Sequence, residues 1–218
     1  MKKYISIMLF AVVITGTIFS CKKSNTPGPK DYSLSVKDKT WWGALVYTGK
    51  STEYYSVHFN ADNSLTWSQM SGDYNGQWVL TGKQLTITFS GNSVEIKADI
   101  SDDDKLMNIT DNTANSEITN GQLIANPNIS LDNTVWKGSI VYSLSSTDYQ
   151  ITFLPGTKLQ AKYLNVNYVP DDYTRSASGA VIRTFGGGVV PIFGVIVSDK
   201  EMKGGRITTD YPWQVSKQ

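Results

Sequence analysis

The strongest constraint on this chain is that it states one pattern twice. Trp41-Trp42-Gly43-Ala44-Leu45-Val46-Tyr47, followed by Ser51-Thr52-Glu53-Tyr54, returns as Trp136-Lys137-Gly138-Ser139-Ile140-Val141-Tyr142 with Ser146-Thr147-Asp148-Tyr149. Seven positions are identical at a constant spacing of 95 residues. Self-similarity over such a period means two copies of one folding unit in tandem. The repeated residues are aromatic, small or β-branched, so the motif reads as a mark of fold and duplication and not as a reaction centre.

Within each copy the apolar residues recur at alternate positions, the period of strands with one buried face. Trp41, Leu45 and Tyr47 share a face, as do Tyr55, Val57 and Phe59, then Leu65 and Trp67. Tyr74, Gly76, Trp78 and Leu80 follow, then Leu85, Ile87 and Phe89, with Thr86 and Thr88 pointing outward. Val94 to Ile100, Leu106 to Thr110 and Glu117 to Ile124 complete about eight short strands, with no convincing helical period, and consecutive hairpins are the economical connection. After Asn126-Pro127-Asn128 the pattern restarts with Trp136 to Tyr142, Tyr149 to Phe153 and Lys158 to Leu164. Phe193 to Val197 and Met202 to Thr208 echo Val94 to Thr110, while Asn165 to Ala177 is polar and lacks a counterpart of Trp78. The run Val189 to Val197 reads as a buried strand. The expected fold is all-β: two tandem antiparallel up-and-down barrels or half-barrels.

The W-x-G opening, the hairpin at Phe59 to Ser64 and the strand Tyr74-x-Gly76-x-Trp78 resemble the lipocalin-like domains of Bacteroidetes lipoproteins. The resemblance implies a barrel with a tryptophan near the first strand closing one end, and it suggests ligand binding. An eight-stranded barrel is either filled by its own side chains or holds one small ligand. Units of about ninety residues favour the filled case.

The N-terminus gives an address. Lys2 and Lys3 precede a mostly apolar run from Ile5 to Phe19, the layout of an export signal over residues 1–20. Ile18-Phe19-Ser20-Cys21 resembles the lipobox of bacterial lipoproteins, which implies cleavage before Cys21 and lipidation of that residue. Cys21 is the only cysteine, so no disulfide forms within the chain. Residues 21–31 read as a lipidated flexible tether, residues 32–126 as the first β domain and 127–218 as the second. The residues after Cys21 lack an acidic run, so the expected location is the outer membrane, facing the periplasm.

Without residues 1–20 the chain carries 18 basic and 19 acidic side chains, a balance that argues against nucleic acid as partner. His58, the only histidine, alternates with Val57 and Phe59 and should face outward without a nucleophile beside it. Asp99 and Asp102-Asp103-Asp104 do not have the spacing of a calcium loop and read as a solvated turn. Asp171-Asp172 is similar. Neither a metal nor a cofactor is expected. Candidate contacts for a ligand or partner are Trp42, which faces away from Trp41 and becomes Lys137 in the second copy, Trp78, Tyr168 and Tyr173. The expected role is a membrane-anchored, non-enzymatic binding or accessory module of the cell envelope. The alternatives are a binder of a small apolar molecule or glycan with a pocket in or between the domains, and a hydrolase with an unrecognised site, for which His58 and Asp171 are the residues to test.

Overall fold

A strand with one apolar face is stable only where that face closes on itself or on another layer, and here it closes on itself twice. The structure is a computed structural model that describes residues 28, 30–47, 49–113, 116–142, 144–186, 191–207 and 211–218. Residues 1–27, which include the expected export signal, Cys21 and most of the expected tether, lie outside the described residues, as do Gly187, Gly188, Val189 and Thr208. Asp31–Gln218 forms one compact unit that contains both barrels.

The first barrel runs β1 (Lys39–Tyr47), β2 (Glu53–Phe59), β3 (Ser64–Gln69), β4 (Gly72–Thr81), β5 (Gln84–Phe89), β6 (Glu95–Ile100), β7 (Lys105–Asp111) and β8 (Ser116–Leu123). Every strand pairs with the next, and β8 pairs back onto β1. The second comprises β9 (Thr134–Tyr142), β10 (Ser145–Leu154), β11 (Lys158–Tyr163), the two-residue β12 (Val166–Asn167), β13 (Asp171–Arg175), β14 (Val181–Thr184), β15 (Ile192–Ile196), β16 (Glu201–Arg206) and β17 (Tyr211–Lys217). Eight of these close through the β17–β9 and β10–β11 pairings, and β12 extends β11 as a side hairpin. The fold is two closed up-and-down barrels in separate sheets, the lipocalin-like plan. β13 grips β11 through only two residue pairs, the structural counterpart of the polar stretch that interrupts the second repeat.

The duplication begins earlier than its tryptophans. Val36 and Leu131 are both buried, Lys39 N–H donates to Val36 O, and Thr134 N–H donates to Leu131 O. Asp38 (φ 55°) and Asn133 (φ 58°) occupy the same left-handed position, which Asp and Asn tolerate better than most residues. This turn delivers Trp41 and Trp136, both fully buried, to the floor of their barrels. The constant spacing of 95 then fails at the first hairpin. Tyr149 lies opposite Gly138 as Tyr55 lies opposite Gly43, so its structural partner is Tyr55 and not Tyr54. One residue fewer separates the paired positions in the second copy. Gly43 is required where it stands, because a Cβ there would come within 2.4 Å of the Tyr55 hydroxyl.

The barrels share an apolar junction. Ile192 and Ile196 of β15 face the interior of the second barrel, while Phe193 and Val195 face outward into a cluster with Met70, Ile124, Ala180, Val181 and Val197. A strand buried on both sides needs apolar residues at consecutive positions, which explains the unbroken run in the sequence. Arg183 of β14 locks the junction. Its guanidinium donates to both Asp73 carboxylate oxygens at 2.9 and 2.7 Å, and to Gln69 O and Gly72 O at 3.0 and 3.2 Å. It also lies 5.2 Å from the Phe193 ring centre. Burial pushes the Asp73 carboxyl up, but the bonds from Arg183 and Ser68 outweigh it and leave it below its ordinary 3.8.

Arg183→Met keeps an apolar stem over Phe193 and removes the fork; it should cost about 1–2 kcal/mol in denaturant unfolding. A carboxyl with a lowered folded pKa contributes stability above its unfolded pKa and loses it as pH falls through the folded one. The difference between wild type and variant should therefore shrink as acid protonates Asp73 below pH 3.8.

Candidate functional site

The strand directions give each barrel a floor and a mouth. In the first barrel the floor is sealed by Trp41, Phe59 and Trp78, and by a short 3-10 turn at Tyr32–Ser35. Trp41 Nε1–H donates to Ser35 O at 3.1 Å, and Trp78 Nε1–H donates to Asn60 O at 3.2 Å. The acidic β6–β7 turn holds this seal: Tyr32 donates to Asp102 at 2.7 Å and Ser35 to Asp104 at 2.5 Å. Asp103 instead pairs with Lys105, and Asp99 accepts from Asn108. Among the described residues no group of three or more His, Cys, Asp or Glu could hold a metal ion.

At the opposite end of this barrel lies a cavity of about 240 Å³. Leu45, Trp67, Ile96 and Ile118 form its buried depth, and Phe89 and Val94 its upper wall. Trp67 is fixed on three sides. Its ring stacks on Tyr55 at 4.0 Å, meets the Phe89 ring edge-on at 5.9 Å, and its Nε1–H donates to Gln69 Oε1 at 2.9 Å. The rim is polar: Tyr47, Gln69, Tyr74, Asn92, Asp111 and Thr113. Gln69 Nε2 donates to Ser71 Oγ at 2.8 Å and reaches Tyr47 Oη at 3.4 Å, and Ser71 Oγ lies 3.0 Å from Tyr74 Oη. Burial raises the Tyr47 phenol above its ordinary value, and the negative charges of Glu53 and Asp111 add to the effect. Asp111 is the one formally charged side chain among the described residues lining the cavity.

The second barrel is filled at the equivalent place. Register equates Leu45 with Ile140, Trp67 with Ala161 and Ile118 with Trp213. The large indole thus comes from the eighth strand instead of the third. Trp213 tilts against Tyr149 at 5.7 Å and sits so close to β15 and β16 that a Cβ on Gly194 or Gly204 would approach its ring within 2.7 or 2.4 Å. Above it, Arg206 is 5% exposed and donates to Tyr163 Oη at 2.8 Å. Tyr142, Tyr163, Tyr168 and Tyr211 surround it, with Tyr163 and Tyr168 stacked at 5.0 Å. No carboxylate among the described residues pairs with Arg206. Burial pushes the Tyr163 phenol up, but its hydrogen bonds with Tyr168 and Arg206 outweigh this and leave it below its ordinary 10; burial and Tyr163 push Tyr168 up to about 12.

The structure does not gather the sequence candidates into one place. Trp42 lies at the junction, 6.4 Å from Tyr54 and under Lys203 Nζ at 5.0 Å. Trp78 is enclosed in the floor of the first barrel. Tyr168 caps the mouth of the second, whereas Tyr173 is buried edge-on against Phe153. His58 is half-buried on the outer wall, its Nδ1 2.9 Å from Thr40 Oγ1, and burial lowers its pKa. Asp171 accepts from Gly186 N–H and Asp172 pairs with Lys158. Trp67, Trp213 and Arg206 carry the contrast between the two interiors, and the alternation placed only Trp67 on an inner face. No protein-family model, curated protein or solved structure matches this chain.

If Arg206 anchors the tyrosine cluster, ultraviolet difference titration should show one phenol ionising below 10 that is lost in a folded Arg206→Met variant.

Proposed function

We propose that this protein is a lipid-tethered binding module of the cell envelope, non-enzymatic, that holds a small, largely apolar molecule in the mouth of its first barrel. One observation carries the reading: two copies of one wall plan differ where it matters, Trp67 with Ile118 leaving a cavity and Ala161 with Trp213 filling it. Pockets for small molecules are concave, largely apolar and furnished with a few polar groups, and the cup with its Gln69–Ser71–Tyr74 rim has that character. The filled barrel then serves as a rigid companion, joined through Arg183 and the shared apolar cluster.

The tether belongs to the same proposal. Acylation at Cys21 would hold the protein at the outer membrane, facing the periplasm, since each buried CH2 of an acyl chain contributes about 0.8 kcal/mol. The lipobox-like Ile18-Phe19-Ser20-Cys21 supports this. Glycan binding at the sequence candidates has less support, because Trp42 packs, partly buried, against the junction cluster and Trp78 is buried in the floor. A hydrolase on His58 or Asp171 lacks a partner set, since both engage local groups on the wall and a loop.

In fractionated cells wild type should partition with the outer membrane and Cys21→Ala should become soluble. In the purified protein, small apolar probes should quench or shift Trp67 emission, and a flat response to all of them would leave only a protein-interaction role.

A further inference from the structure

The chemistry of the cup's mouth specifies more than an apolar guest. The cavity of about 240 Å³ exceeds the roughly 150 Å³ of apolar space that takes one benzene ring, so a single ring with a short side chain fits the scale. Its depth offers one flat aromatic wall, Trp67, against the aliphatic Leu45, Ile96 and Ile118. A planar ring is therefore favoured by stacking on one side and burial on the other.

The head group must lie at the rim, where Gln69 is already engaged: its oxygen takes the Trp67 indole N–H, and its amide nitrogen serves Ser71 and Tyr47. Asn92 Oδ1 accepts from Val94 N–H. Asp111, the acidic side chain on the cavity rim, accepts from Thr113 through both backbone and side chain. No Lys or Arg among the described residues lines that cavity. The local field is therefore negative, and it favours hydrogen-bond donors and cations over anions.

We infer that the cup selects an aryl-alkyl molecule whose head is a hydrogen-bond donor, amine above hydroxyl, and discriminates against the corresponding carboxylate. This rests on the ligand-binding reading above. Placing a second negative charge beside Asp111 near a protein surface is unfavourable enough to separate amine from carboxylate by about tenfold or more.

The test is calorimetric titration of the full-length, detergent-solubilised protein with 2-phenylethylamine, 2-phenylethanol and phenylacetate. Wild type should bind them in that order, the amine about tenfold or more above the acid. In Asp111→Asn, with its fold verified by near-UV dichroism, the preference for amine over acid should collapse. Equal or tighter binding of phenylacetate, or an unchanged preference in Asp111→Asn, overturns the inference and leaves the cup as a binding site. The double variant Trp67→Ala/Ile118→Trp copies the plug of the second barrel, with near-UV dichroism verifying its fold. If it still binds the amine, or if wild type binds none of the three probes at millimolar concentration, the ligand-binding reading itself fails and the inference with it.

Discussion

The structure depends on a fixed quantity, the interior volume of an eight-stranded barrel. Strand number and tilt set that volume, and side chains must fill it at crystal-like density or leave a cavity. Both barrels spend most of it in the same way. A tryptophan lies on the floor, a tyrosine sits beneath the first strand opposite Gly43 or Gly138, and a buried phenylalanine, Phe59 or Phe153, lies at the close of the second strand, last in β2 and last but one in β10. They differ in which strand supplies the remaining indole. From the third strand, as Trp67, it stacks on Tyr55 along one wall and leaves the mouth hollow. From the eighth, as Trp213, it packs against Tyr149 and the glycines of β15 and β16, and a buried arginine with its tyrosines closes what remains.

The duplication also leaves the two outer walls unlike. The outer face that carries Trp42 and Tyr54 in the first copy docks on the second barrel, next to Phe193 and Val195. The corresponding face of the second copy presents Lys137, Asp148, Gln150 and Lys162. Charged and amide groups there need water or a matched partner, so the surface that joins copy one to copy two is not offered again. The substitution Trp42 to Lys137 separates an interior junction from a solvated wall.

Much of this was legible from residue order. Alternation located nearly all strands of the first barrel, and the repeat located the first three and the sixth and seventh of the second. Alternation is a local property, fixed by strand geometry. What was not legible depends on pairing across the chain. The constant spacing concealed a one-residue shortening at the first hairpin, because Ser-Thr-x-Tyr aligns by eye on Tyr54 although register puts Tyr149 beside Gly138. The exchange of Trp67 and Ile118 for Ala161 and Trp213 joins strands at opposite ends of each repeat, and only the closed sheet brings them together. Nothing in the local sequence marks Arg206 for burial, since the tyrosines around it come from β9, β11, β17 and the loop after β12. The sequence expectation that units of this size are filled holds for the second barrel and fails for the first, for want of one indole on β8.

The central claim is that the two interiors differ, one hollow beneath its mouth and one filled. Xenon enters dry apolar cavities and is read directly from electron density. A crystal pressurised with xenon should show an atom among Leu45, Trp67 and Ile118 and none between Tyr149 and Trp213. Xenon in neither barrel, or in the second alone, would contradict the account.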